Sequence, residues 1–291
     1  MLNNASVAIP KTIVEAADLY REHMPNCKYI AGGTDVMLEK GILHSDVTLV
    51  SLSRIAELKN IYSAGGVTHI GAMATVSDLQ EYFYNRGVEN AVLDGVSEIG
   101  SPQIRNVATL GGNICSSLPS ADSIGPLVVL GAELILTDGR NERNVAIEDF
   151  CIGVGKNILS EGEILKEVII REESESRSAY VKHGRRKALE IALVGASCCL
   201  KINKISNICE SIKVALTTAA PRHVRAVKTE EFLAGKDLSA RNIEEAARMA
   251  VLSAKTRTSF RCTSEYRNAV IPEFVKRAIY KAIGRGGENF V

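Results

Sequence analysis

Gln103-Ile104-Arg105-Asn106-Val107-Ala108-Thr109-Leu110-Gly111-Gly112-Asn113-Ile114 is a mostly polar, turn-forming stretch whose glycine pair is flanked by hydrogen-bonding side chains. A second such pair stands earlier, in Ala31-Gly32-Gly33-Thr34-Asp35, directly after the short β-like run Lys28 to Ala31. Without Cβ atoms, a glycine pair after a strand lets the backbone come close to a ligand and present N–H groups to it. The neighbouring hydroxyl and amide side chains supply further partners for a pyrophosphate or a ribityl chain. Either loop alone reads better as a tight turn, whereas two together can grip a dinucleotide from both sides.

Around these loops the chain alternates helix and strand. Thr12 and Glu15 make a capping box, and Ile13, Ala16, Ala17 and Tyr20 recur at helical spacing, which predicts a helix from Thr12 to His23. Val47 to Leu52 and Val67 to Ala72 read as strands, Thr75 with Asp78 caps a helix through Leu79 and Phe83, and Ala91 to Ile99 is helical. Beyond the second loop, the apolar Leu127 to Leu136 meets an Asp138-Gly139 turn followed by Val145-Ala146-Ile147, the pattern of a β-hairpin. Ile164 to Ile170 reads as another strand, and the charged, serine-containing Glu172 to Arg177 as an exposed connector at a domain boundary. Ala179 to His183, Leu189 to Ile202 and Ile212 to Thr218 then read as strands of one antiparallel sheet. Two helices come after them, one from Ser239 to Lys255 and one from Thr263 through Ala282, with Pro272 placed to kink the second. The fold class is α+β in two lobes, without tandem repeats.

Composition removes several classes of function. The 291 residues suit two domains at roughly 100 to 200 residues each. With 35 basic residues against 34 acidic ones the net charge is +1, so no global field recruits nucleic acid or an anionic membrane. The apolar runs, such as Ile191 to Leu200, are too short to span a bilayer, and Met1 to Lys11 lacks the basic and apolar pattern of a secretory leader, which places the chain in the cytoplasm. Its seven cysteines form no C-x-x-C pair, so reduced thiols are expected and no metal or iron–sulfur site is encoded. Cys115, beside the second loop, reads as a buried structural thiol. Neither G-x-x-x-x-G-K-[ST] nor a strand-linked G-x-G-x-x-G is present, which disfavours a P-loop enzyme and a Rossmann fold.

The two glycine loops, with Pro119-Ser120-Ala121-Asp122-Ser123, Glu163-Ile164-Leu165 and Ala179-Tyr180-Val181-Lys182 in the same order, resemble the signatures of the FAD-binding subunits of molybdenum hydroxylases of the xanthine dehydrogenase type. The resemblance covers nearly the whole chain. It implies the FAD-binding fold of the vanillyl-alcohol oxidase/p-cresol methylhydroxylase type, in two α+β subdomains over residues 1–175, and a smaller sheet-and-helix C-terminal domain over 178–286. It implies that Tyr29, Ile30, Ala31, Gly32, Gly33, Thr34, Asp35 and Val36 wrap the FAD pyrophosphate and that Thr109, Leu110, Gly111, Gly112 and Asn113 form the second loop. Ile99 falls where the family has a hydrophobic or aromatic wall, Asp122 where it bonds the adenosine side or a loop amide, Leu165 at the adenine end, and Lys182 where a lysine meets the cofactor. Ile99 and Leu165 read equally as core, and a solvated strand residue is the lesser reading of Lys182; Glu190 stands where many relatives have aspartate. The basic run Lys182, His183, Arg185, Arg186 and Lys187 reads as a solvated turn, with a nucleotide or partner contact as the alternative.

The function implied by the resemblance is that of an electron-transfer subunit with no catalytic acid or base of its own. FAD is its cofactor, molybdopterin and [2Fe-2S] centres belong to partner subunits in a heterotrimer, and NAD is an acceptor. Nicotinate, carbon monoxide and aldehyde dehydrogenases share these loops, and a stand-alone flavin oxidoreductase of the same fold or a flavin-less assembly subunit are the rival readings.

Overall fold

The computed structural model describes residues 5–171, 173–186, 188–203 and 205–284. Glu172 of the expected connector, Lys187 of the basic run, and residues 1–4 and 285–286 at the outer ends of the two expected domains lie outside the described residues.

The first lobe contains β1 (Ser6–Ala8), α1 (Ile13–Glu22), β2 (Cys27–Ile30) and β3 (Thr48–Ser51), whose strands form a parallel sheet in the order β1-β3-β2. Helix α1 starts where its cap dictates: the Glu15 N–H donates to the Thr12 hydroxyl at 3.1 Å, and the Lys11 N–H donates to the Glu15 carboxylate at 2.8 Å. Its apolar stripe, Ile13 and Ala16, packs with Val50, Leu52 and Ile55 in a small core.

The second lobe runs through β4 (Ile61–Ala64), β5 (Val67–Gly71), α2 (Val76–Asn85), α3 (Ala91–Ser97), α4 (Pro102–Arg105), α5 (Leu110–Cys115) and α6 (Ile124–Val129). It continues with β6 (Glu133–Thr137), β7 (Glu142–Ala146), α7 (Ile147–Phe150), β8 (Cys151–Gly153), β9 (Lys156–Asn157) and β10 (Ile164–Arg171). Its antiparallel sheet has the order β4-β5-β10-β6-β7. Alternation along these strands sends Ile70, Leu134, Leu136 and Val168 into the main core, with Leu79, Leu110, Ile114 and Leu127 from the helices.

The C-terminal part has β11 (Ser176–His183), β12 (Val194–Asn203), β13 (Ile208–Thr217), β14 (Val224–Arg225), α8 (Val227–Leu233), α9 (Ala240–Met249) and α10 (Ser264–Gly284). Its four strands pair in sequence order. Tyr180 and Ala215 join the main core, while their chain neighbours Ala179 and Val214 join a second core with α8 to α10. Successive strand residues face opposite sides, so this sheet is covered on both faces, and the first half of β12 is buried. The covering from the second lobe comes from α3 and α6, which seats the two parts against each other.

Three expectations differ from what is observed. The stretch from Ser101 to Ile114 is two short helices: the Ile104 N–H donates to Ser101 at 3.3 Å and the Gly112 N–H to Thr109 at 3.0 Å, so the polar residues act as caps. Leu127 to Leu136 divides into the end of α6, a turn at Gly131 and strand β6, because an unbroken apolar run does not tell a buried helix from a buried strand. Leu189 to Leu193 is a loop, and β12 begins only at Val194. Pro272 lies inside α10, where the sequence placed it. Among the described residues no helix is long and apolar enough to cross a membrane.

Candidate functional site

A cavity of about 910 Å³ opens between the two glycine loops and the loop at Leu189. That volume lies at the upper end of the roughly 300 to 1,000 Å³ usual for small-molecule and cofactor sites. The Gly32-Gly33 loop leaves the end of β2, and the second loop forms the start of α5. They adjoin: a Cβ on Gly32 would lie 1.9 Å from the Val107 carbonyl oxygen, and one on Gly112 would lie 3.7 Å from the Ala31 Cβ. Gly32 is therefore needed for loop-to-loop packing, where its sequence pattern alone suggested approach to a ligand. Gly33 has φ +75°, a conformation that side-chain-bearing residues rarely take.

Among the described residues, no acceptor in the chain takes the N–H groups of Gly32, Gly33, Thr34 or Asp35. Four successive unclaimed donors on one wall of a cavity form a natural seat for an anionic oxygen cluster. In the second loop, Ser123 donates to Asn113 Oδ1 at 2.6 Å, which leaves the Asn113 amide N–H groups for the cavity. Burial raises the Asp35 carboxyl above the ordinary range.

Fourteen of the seventeen residues named from sequence line this cavity: Tyr29, Ala31, Gly32, Gly33, Thr34, Asp35, Val36, Ile99, Thr109, Gly111, Gly112, Asn113, Asp122 and Leu165. Three are placed elsewhere. Ile30 turns to a small cluster with Ile42, Val47 and Leu49, and Leu110 is wholly buried in the main core. Lys182 is covered, its ammonium 2.8 Å from Asp122 Oδ2 and donating to the Glu98 carbonyl at 2.9 Å. It meets the cavity through Asp122, whose carboxyl also accepts from the Tyr180 hydroxyl at 2.7 Å. Burial raises the Asp122 pKa to about 6, against the lowering effects of Lys182 and Tyr180.

Glu163 and the run Leu189 to Ile191 also line the cavity, although the sequence reading assigned them no place in the site. Glu163 is held by Arg143 through two contacts of 2.7 Å and by the Ser160 N–H at 2.7 Å, which fixes the wall beside Leu165. Leu189, Glu190 and Ile191 form the opposite edge, with Arg185 and Arg186 folded onto Glu190 at 3.4 and 3.2 Å. The signal was Glu190 itself, a charge within an apolar run, which the sequence reading noted without giving it a role.

Cys115 also lines the cavity, and burial pushes its thiol up to about 12. At pH 8 its thiolate fraction is then roughly a thousandfold below that of an ordinary cysteine. Iodoacetamide labelling followed by peptide mass mapping should leave Cys115 unmodified in the folded chain and modify it in urea.

Residues 3–171 match the family described as FAD binding domain in molybdopterin dehydrogenase, and residues 179–282 match the CO dehydrogenase flavoprotein C-terminal domain. The chain belongs to the FAD-binding subunits of the molybdenum hydroxylases. It is 31% identical to the xanthine dehydrogenase FAD-binding subunit of Escherichia coli O157:H7, over 99% of each chain. It is equally 31% identical to the nicotinate dehydrogenase FAD-subunit of Eubacterium barkeri, over 81% of each. In structure it resembles a chain of carbon monoxide dehydrogenase from Hydrogenophaga pseudoflava, with a TM-score of 0.90, 25% identity, and coverage of 98% of this chain and 99% of that one. The unclaimed N–H row fits an FAD pyrophosphate: the donors number four, and all four residues line the cavity.

Proposed function

We propose that this chain is the FAD-carrying electron-transfer subunit of a xanthine dehydrogenase-type molybdenum hydroxylase, taking electrons from [2Fe-2S] centres of a partner subunit and delivering them to NAD+ or another acceptor. The row of unclaimed N–H groups from Gly32 to Asp35, facing a cavity closed by the second glycine loop, carries this reading. Bound FAD supplies the chemistry, since it accepts electrons singly and releases a pair as hydride. The chain's own residues bind and orient. Gly32 to Asp35 seat the pyrophosphate, Thr109 to Asn113 close over it, Leu165 walls the adenine end, Ile99 walls the other, and Lys182 acts through the carboxylate it grips. The carboxylates of Glu163, Asp122 and Glu190 already have cationic partners, which suits a holding site better than acid–base chemistry.

The fold is read as the vanillyl-alcohol oxidase/p-cresol methylhydroxylase type, with the FAD-binding unit over 1–175 and the C-terminal unit over 178–286. The same reading gives a cytoplasmic heterotrimer with a molybdopterin subunit and an iron–sulfur subunit, and purine as the substrate class at the molybdenum partner. The purified chain should release about one FAD on heating and should not oxidise a purine. Absence of flavin after reconstitution would remove the reading, and purine turnover by the lone chain would remove its dependence on partners.

A further inference from the structure

Strand β11 sends two side chains to one carboxylate. Tyr180 and Lys182 are two residues apart, so they share a face, and they meet Asp122 Oδ1 at 2.7 Å and Oδ2 at 2.8 Å. Tyr180 is only 1% exposed and held along its whole length. Its N–H donates to Asp94 at 2.9 Å, its carbonyl accepts from Lys281 at 3.2 Å, and Lys281 in turn pairs with Asp94 at 2.8 Å. Its ring lies across Gly195 of β12, where a Cβ would sit 2.4 Å from the tyrosine oxygen and 2.8 Å from a ring carbon. A glycine in the middle of a covered strand is otherwise unfavourable; here it opens the path by which the hydroxyl reaches Asp122.

We propose that Tyr180 is a positioning residue of the cofactor site, orienting the Asp122 carboxylate so that its remaining acceptor positions serve hydroxyl or imide N–H donors of a bound flavin nucleotide. A carboxylate offers about four acceptor positions, and Tyr180 and Lys182 occupy two. Asp122 lines the cavity, and under this proposal the others serve a ligand there. The inference rests on the flavin reading above and adds to it a residue that never touches the cofactor.

The groups facing Asp122 are few. Lys182 and Tyr180 come from β11, Glu98 from the end of α3, and the Asp94–Lys281 pair stands behind Tyr180. His223, ahead of β14, meets the Ala121 carbonyl at 3.0 Å, and burial lowers its pKa to about 4. It therefore stays neutral above pH 5, while burial keeps the Tyr180 hydroxyl protonated throughout. Asp122, near 6, is left to titrate.

The test is the FAD dissociation constant of the full chain from pH 5 to 9, read by quenching of flavin fluorescence. Wild type should bind more weakly as pH falls through about 6, following Asp122. Tyr180→Phe keeps the ring and removes the donor, so the break should move up by about one to two pH units. Asp122→Asn should abolish the break. A fluorotyrosine placed at 180, a stronger donor of similar shape, should move it down, which keeps the test open if the phenylalanine variant does not fold. A break unmoved by either Tyr180 change, one that survives in Asp122→Asn, or a flat wild-type profile overturns the inference and leaves the flavin reading standing. A wild-type chain that binds no FAD at pH 8 overturns the flavin reading itself.

Discussion

Gly32→Ala is expected to abolish FAD loading. The added Cβ would lie 1.9 Å from the Val107 oxygen, 2.7 Å from its carbonyl carbon and 3.0 Å from the Ala108 Cα. All three are backbone atoms, so no rotamer change relieves the clash. That backbone is itself pinned, with the Ala108 N–H donating to Ile104 at 2.7 Å and the Val76 N–H to the Ala108 carbonyl at 2.9 Å. The two glycine loops must therefore separate, taking the Gly32 to Asp35 donors out of register with the opposite wall. Overpacking a core commonly costs about 1 to 3 kcal/mol. Since here the burden falls on the binding loops, FAD affinity should drop at least a hundredfold, or roughly 2.7 kcal/mol. Gly87→Ala is the control: it has a positive φ but open space around the added atom, so it should keep full flavin content at a modest cost in stability. Flavin-to-protein absorbance ratios decide the matter, and a Gly32→Ala chain with wild-type content would contradict the close packing of the two loops.

The second large effect is on stability. Lys182→Met should cost about 2 to 3 kcal/mol at pH 8, because Asp122, ionised there beside its lysine, must then take up a proton or stay charged without its cation. The Asp122 and Lys182 side chains are 7% and 6% exposed, so water cannot take the place of the missing partner. The sign of the pH dependence is set by linkage. The folded pKa of Asp122, about 6, lies above the unfolded value of roughly 3.9. Its protonation therefore contributes stability that is fully present below about pH 4 and is lost as pH rises through about 6. Removing Lys182 raises the folded pKa further, so the variant should be close to wild type at pH 5 and fall well behind at pH 8. Adding Asp122→Asn to Lys182→Met should recover most of the pH 8 loss. Urea unfolding at the two pH values measures this, and equal destabilisation at both would mean that lost packing, rather than stranded charge, is what Lys182→Met costs.

Local features carried much of the site. The two glycine pairs, with Thr34, Asp35, Thr109 and Asn113 beside them, read as a cradle because short-range chemistry makes such loops, and all of these residues line the cavity. The helix starts at Thr12, Thr75 and Ser239 were equally legible, since a cap is a bond between residues three apart. Ile30 and Leu110 were harder, because a motif names a run of residues while the alternation of a strand or the turn of a helix sends its members in different directions.

By itself the sequence determined the α+β composition, the capped helices, the apolar strands and, through its loop motifs, the family. Only the tertiary structure decided that Lys182 grips Asp122 instead of facing the cavity, that Tyr180 completes that pair, and that Leu189 to Ile191 close the cavity's edge. These contacts join residues separated by most of a domain, and no local propensity encodes them. They arise because α3 and α6 must cover the inner face of the β11 to β14 sheet, and burying that apolar face draws the polar groups at the seam into bonds with one another.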